Sequence, residues 1–362
     1  VYKRQLQISA KAERSAPPGQ RPNVLIIMLD DVGYADLGCY GSEIATPAID
    51  SLASAGVRFT NFHTTPMCSP TRASMLTGRN PHSVGVGIIA DWANEHPGYR
   101  GVIDRDIPIL PELLATAGYG AYAVGKWHLN AIKEQGTTGP FQNWPTQRGF
   151  DQWYGFQGAN ADHWHPELFE GTAAIEAPSG SDYHLSSDIV DRMIAYLSEH
   201  RASDPARPFF SYVAFGACHW PLHTPEDYIR RHAGKYDAGW GQLRAARFAR
   251  QKALGLLPVD AVLPPQNPDV PDWESLPLQE RAFAARCQEV YAGMLEHTDA
   301  QIGRLLTMLA DMGVRDDTLI VLLSDNGATA EGSPAGMSDV RGELYIAKEP
   351  VSYTHLTLPT KA

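Results

Sequence analysis

Asn23-Val24-Leu25-Ile26-Ile27-Met28-Leu29-Asp30-Asp31 decides the fold. After Asn23 the run is apolar without interruption, so it has no solvent face. That is the pattern of a strand buried on both sides in a parallel sheet. It ends in two acids, where open α/β sheets bind ligands. Neighbouring carboxylates repel unless a cation sits between them. Alone, an Asp-Asp pair is more often an exposed surface feature. Three later runs repeat the design. Tyr119 to Val124 leads into Gly125-Lys126-Trp127-His128-Leu129. Pro208 to Phe215 is followed by Cys218-His219-Trp220-Pro221. Thr318 to Leu323 ends in Ser324-Asp325-Asn326-Gly327. Buried strands that all end in polar blocks predict a doubly wound, mostly parallel α/β sheet flanked by helices, with the blocks meeting in one crevice.

Between these strands the helix signals are ordinary. Thr46 to Gly56 and Leu110 to Gly118 each open with proline and close on glycine. Ser187 to His200 carries an apolar stripe, and Leu278 to Met312 reads as one long helix or two. Val57 to Phe62 reads as a strand, Gly149 to Pro166 as a loop rich in Trp and His, and residues 226–277 as a surface excursion. His163 and His165 make a poor metal site, because no further ligands follow in a suitable pattern.

The chain has 362 residues and a formal charge of −11, enough for one large domain or two smaller ones. An acidic chain has no net positive field with which to collect phosphates, so nucleic acid is not an expected partner. The four cysteines Cys39, Cys68, Cys218 and Cys287 are too few for a disulfide framework. No apolar run is long enough for a membrane span. Residues 1–20 read as linker and residues 348–362 as a non-native tail. Val1 to Gln5 and Val351 to Thr360 have the look of adapter-derived sequence. The catalytic domain is therefore expected over 21–347.

The chemistry centres on Pro66-Met67-Cys68-Ser69-Pro70-Thr71-Arg72-Ala73-Ser74-Met75-Leu76-Thr77-Gly78-Arg79. Pro70 suits a first helical turn, where a missing N–H costs nothing. Cys68 then stands at a helix N-terminus beside free N–H groups, and Arg72, four residues on, shares its face. The result is an anion pocket with a reactive side chain at its mouth. Cys68 is either a buried structural thiol or a nucleophile.

The stretch resembles the sulfatase signature Cys-X-Pro-X-Arg with its Thr-Gly-Arg tail. Asp30-Asp31-Val32-Gly33-Tyr34, Gly125-Lys126-Trp127-His128 and Asp325-Asn326-Gly327 are similar to further blocks of that family. The resemblance, over about residues 21–345, implies an alkaline phosphatase-like fold and a formylglycine made from Cys68 by a formylglycine-generating or sulfatase-maturing enzyme. It implies metal ligands Asp30, Asp31, Asp325 and Asn326 together with modified Cys68. Such hard oxygen donors select Ca2+, or Mg2+, over zinc. The absence of a His/Cys cluster in the sequence argues the same way.

The implied reaction is hydrolysis of a small-molecule sulfate ester. One hydroxyl of the formylglycine hydrate attacks sulfur and Asp325 accepts its proton. Arg72 and Lys126 offset charge, Lys126 and His219 bind the substrate, and His219 serves the leaving group. His128 then helps the second hydroxyl to expel sulfate. A phosphonate monoester or phosphodiester hydrolase and an inactive metal-binding fragment are the competing expectations. Relatives of this kind carry a further C-terminal small sheet and a second leaving-group lysine, neither of which has a match here. Family habit favours a periplasmic or secreted enzyme.

Overall fold

A computed structural model describes residues 21–180 and 182–329. The strands are β1 (Asn23–Leu29), β2 (Gly120–Lys126), β3 (Gln152–Phe156), β4 (Leu168–Glu170), β5 (Ala173–Ile175), β6 (Phe209–Ala214) and β7 (Thr318–Ser324). They form one sheet in the order β5-β4-β3-β2-β6-β1-β7. β3, β2, β6, β1 and β7 run parallel, and β4 and β5 extend the sheet antiparallel. The helices are α1 (Pro47–Ala55), α2 (Cys68–Thr77), α3 (Leu110–Thr116), α4 (Leu185–Ser203), α5 (Glu226–Arg230), α6 (Gly239–Ala253) and α7 (Leu278–Asp311). None of the described helices is long and apolar enough to cross a membrane.

The apolar run of β1 is explained by two cores. Leu25, Ile27 and Leu29 join one cluster with Ile189 and Met193 of α4 and Leu295 and Ile302 of α7. Ile26 and Met28 join another with Ala73 and Leu76 of α2 and the aromatic residues Trp127, Trp144 and Trp153. β2 divides the same way, with Tyr122 and Val124 on one side and Ala121 and Ala123 on the other. Each strand thus covers two hydrophobic faces, which removes the polar alternation of a half-exposed strand.

Several expectations change. β7 is an edge strand, not a doubly buried one: Leu319 is 56% and Val321 39% exposed, while Ile320 and Leu322 pack on the core. Val57 to Phe62 is no strand. Its apolar side chains Val57, Phe59 and Phe62 are exposed, and the Tyr40 hydroxyl donates to the Phe59 carbonyl at 2.8 Å. The supposed loop after Gly149 contains β3. Leu278–Asp311 is a single helix of 34 residues. Gly293 lies inside it, where the missing Cβ lets the backbone of Tyr228 come close, within 3.0 Å of where a Cβ would sit. Residues 226–277 are no mere excursion, since Arg247 of α6 is buried against the loop that follows β1. The four cysteines are all unbridged. The expected linker at 1–20 and tail at 348–362 lie outside the described residues.

Candidate active site

Every residue of the Cys68 turn has a separate task. Cys68 opens α2, and no side chain caps that helix at Met67. Its first N–H groups are therefore left without a capping side chain. The Ser69 hydroxyl accepts from the Ala90 amide at 3.1 Å and so holds the turn Ala90–Trp92. The Thr71 hydroxyl accepts from the Thr65 amide at 3.0 Å and fixes the lead-in to the helix. Gly78 closes the helix in a left-handed conformation, φ 65°.

Arg72 points back along the Cys68 face, as the i, i+4 spacing requires, and is fully buried. Nε and Nη2 donate to Asp325 Oδ2 at 3.1 and 2.7 Å, and Nη1 donates to the Lys126 carbonyl at 3.2 Å. Lys126 Nζ donates to Asp30 Oδ2 at 2.6 Å. Lys126 is placed by Gly125, whose φ of +88° and close approach to the Ala214 carbonyl exclude any Cβ. Both cations brace carboxylates.

Asp30, Asp31 and Asp325 place carboxylate oxygens within 4.8 Å of one another, all buried. Burial, then Asp30 and Asp325, push Asp31 well above the ordinary carboxyl range. Burial and Asp30 push Asp325 up as well, against the pull of Arg72. Asn326 Nδ2 donates to Asp31 Oδ1 at 2.6 Å, which turns the amide into the same group. Asp30 Oδ1 is buried and accepts no hydrogen bond among the described residues. Hard, mutually repelling oxygens with an unsatisfied lone pair suit a divalent cation such as Ca2+ or Mg2+. Asp31 has φ 58°, a left-handed conformation that turns its side chain back beside that of Asp30.

His128 also has positive φ, 50°. Its Nδ1 lies 3.1 Å from Cys68 Sγ, and its Nε2 lies 3.5 Å from Asp91 Oδ2. Burial lowers its pKa to about 4, despite the opposing pull of Asp91, so the ring is neutral at pH 7. Asp91, in the turn that Ser69 holds, fixes the ring and carries no sequence motif that could have revealed it. Burial pushes the Cys68 thiol up to about 12, so an unmodified Cys68 is a protonated thiol. His219 Nδ1 meets the Trp220 carbonyl at 2.8 Å, which aims Nε2 at Asp31 Oδ2, 3.8 Å away. The sequence-derived residues Cys68, Arg72, Lys126, His128, His219, Asp30, Asp31, Asp325 and Asn326 thus gather at the same end of the sheet.

A second buried group was illegible. His163, His184, His223 and His297 come from four separate segments and pack together, with His184 and His297 edge-on at a ring-centroid distance of 4.4 Å and His163 and His184 tilted at 5.3 Å. The sequence suggested no histidine cluster, and His165, its neighbour in the motif, is exposed. These rings do not form a ligand set. Among the described residues only Asp30, Asp31 and Asp325 bring three donor atoms together. His184, for one, spends its nitrogens on the His223 carbonyl and the Ser186 amide. Burial lowers His184 and His223 to about 4 and His297 to about 3. The sign follows. The unfolded chain binds protons near pH 6.5 while the folded chain refuses them, so stability is complete above that pH and is lost as pH falls toward 4. Urea unfolding at pH 7, 6 and 5 is expected to show the loss, up to about 2 kcal/mol for each ring by pH 5. A His184→Gln/His297→Gln double variant should flatten the profile. A wild-type profile that is already flat contradicts this.

Residues 22–352 match the family profile described as Sulfatase. An uncharacterized sulfatase of Schizosaccharomyces pombe is 35% identical over 358 residues, covering 92% of this chain and 61% of that protein. An arylsulfatase of Klebsiella aerogenes is 34% identical over 325 residues, covering 85% of this chain and 67% of that protein. The fold, with its mostly parallel sheet between helices, is shared with the Bacteroides fragilis protein yidJ at a TM-score of 0.67 and 22% identity, over 89% of this chain and 65% of that one. The chain thus spans about three fifths of the S. pombe relative's length. A match across nearly all of the described residues, together with the Cys68 turn and the acid group it faces, leads to one conclusion: the chain belongs to the sulfatase family.

Proposed function

We propose that this chain hydrolyses sulfate esters, with a formylglycine made from Cys68 by a maturing enzyme and with Ca2+, or Mg2+, held by Asp30, Asp31, Asp325, Asn326 and modified Cys68. The family generally depends on formylglycine and a divalent metal. The observation that carries the reading is the meeting of a helix-mouth cysteine with three buried carboxylates. A hydrated formylglycine supplies a hydroxyl nucleophile and a second hydroxyl for release, and a cation supplies charge for the more negative transition state.

The remaining roles belong to the chain's own side chains. His128, a neutral ring at pH 7, turns Nδ1 toward residue 68 and Nε2 toward Asp91; with its proton on Nε2 facing that carboxylate, Nδ1 can accept a proton from residue 68. Asp325, oriented by the Arg72 guanidinium on its Oδ2, is the acceptor for the nucleophile's proton. Lys126 neutralises part of the acid group and adds its charge to the pocket that receives the sulfate. His219 holds Nε2 3.8 Å from Asp31 Oδ2, at the acid group, where it can serve a departing alkoxide.

The test begins with the maturing enzyme co-expressed. Formylglycine lowers the mass of the residue-68 peptide by about 18 Da, a change fixed by its covalent chemistry. Matured, Ca2+-loaded protein is expected to turn over an aryl sulfate faster than a phosphonate monoester, and to stop when chelated. A faster phosphonate reaction, or a matured and loaded protein without turnover, refutes the proposal.

A further inference from the structure

The metal-binding end of β1 is tied to the 226–277 segment by a chain of buried polar contacts. Arg247 of α6 is buried. Its Nη1 donates to Asp36 Oδ1, and its Nε and Nη2 grip Glu43 at 2.8 and 2.9 Å. The other oxygen of Asp36 accepts from the Gly33 amide at 2.9 Å and from the Tyr291 hydroxyl at 2.9 Å. The same Tyr291 hydroxyl lies 3.4 Å from the Asp31 carbonyl. One phenolic proton is therefore shared, mainly with Asp36 and weakly with the backbone of Asp31. Three elements far apart in sequence converge here: α6, α7 and the turn Tyr34–Asp36 after β1.

The cost of this arrangement needs an explanation. Asp36 and Arg247 are both withdrawn from water, and a buried ion pair gives little net stability over an apolar pair of the same shape. Its specific product is geometric. Asp31 sits at φ 58°, in a region that a non-glycine residue adopts only when its surroundings hold it there. From the β7 side the turn is held by Asn326 Nδ2, which donates to Asp31 Oδ1 at 2.6 Å, and by Ser324 Oγ, which accepts from the Val32 amide at 3.2 Å; from the opposite side the Gly33 amide and the Asp31 carbonyl are held through Asp36 and Tyr291.

We propose that Arg247, Asp36 and Tyr291 are positioning residues for the divalent cation: they fix the turn at Asp31 so that the Asp30 and Asp31 carboxylates converge, which makes α6 part of the metal site without touching it. The inference rests on the metal reading above. Outer partners of metal ligands typically govern affinity by about 10- to 100-fold.

The experiment is calorimetric titration of Ca2+ into metal-free protein, with thermal unfolding of the metal-free forms alongside. Tyr291→Phe removes one hydroxyl and little volume. It is expected to weaken Ca2+ binding about tenfold. Arg247→Met is expected to do the same through Asp36. Tyr122→Phe is the control. It deletes an equally buried hydroxyl, bonded to His200 at 2.9 Å at the opposite end of β2, and should leave Ca2+ affinity unchanged. If Arg247→Met fails to fold, Tyr291→Phe alone decides. Wild-type affinity in Tyr291→Phe, whatever its melting temperature, overturns the proposal and reduces the network to a structural pin. A wild-type chain that takes up neither Ca2+ nor Mg2+ overturns the metal reading itself, and this inference with it.

Discussion

Cys68→Ala is expected to abolish aryl sulfate turnover, by about 10⁴-fold or more, as loss of a nucleophile does elsewhere. The fold should survive. Cys68 is a small side chain at the start of α2, and the arginine four residues on, which grips Asp325, is left in place. Cys68→Ser separates two parts of the mechanism. Serine keeps a hydroxyl but has no second one on the same carbon, so it lacks the internal exit. One equivalent of alcohol should be released and the enzyme should then stall as a sulfate ester. The unmatured protein should be as inert as the alanine variant, because burial holds the thiol up to about 12 and thiolate is scarce at pH 7. The measurement is steady-state and burst kinetics on protein whose state at residue 68 is known by mass. Turnover by Cys68→Ala within tenfold of the matured wild type contradicts the assignment.

How much of this could be read from the chain depended on distance in sequence. β1, β2 and β6 announce themselves because burial on both faces leaves long apolar runs, and polar blocks at their ends are conspicuous. The Cys68 helix carries its own local signals, proline near the start and glycine at the end. β7 is half legible: its apolar run is real, but nothing in the run says that it lies at the sheet edge. Val57 to Phe62 misleads, because strand propensity needs a neighbouring edge to pair with, and here the Phe59 carbonyl accepts from the Tyr40 hydroxyl instead of a strand. Asp91, Arg247 and Tyr291 were invisible for another reason. Each works through contacts to residues far away in sequence, and no period or motif encodes that. The histidine cluster is similar, one ring from each of four segments. Arg72 was found but its target was not. Its i, i+4 spacing gives the face, while the partner, Asp325, lies 253 residues downstream.

That partner sets the second large effect. Asp30, Asp31 and Asp325 are three buried acids against two buried cations, Arg72 and Lys126. Arg72→Ala leaves the acid group with one cation, and breaking a buried pair from one side costs about 3–5 kcal/mol. Metal-free Arg72→Ala is therefore expected to unfold at much lower urea than the wild type. Arg72→Lys should recover little, because a single ammonium cannot reach Asp325 Oδ2, the Lys126 carbonyl and the Tyr212 hydroxyl together. The distinguishing result is the response to Ca2+. A ligand stabilises the folded state in proportion to how tightly it binds. A more negative acid group attracts the cation more strongly, so added Ca2+ should stabilise Arg72→Ala by more than it stabilises the wild type. If Arg72 instead served mainly to contact the sulfate, its loss would raise KM, leave metal-free stability within about 1 kcal/mol, and leave the Ca2+ response unchanged. Urea unfolding of both proteins with and without Ca2+ separates these outcomes, because only a brace on Asp325 links an arginine on α2 to the pull that the acids exert on a cation.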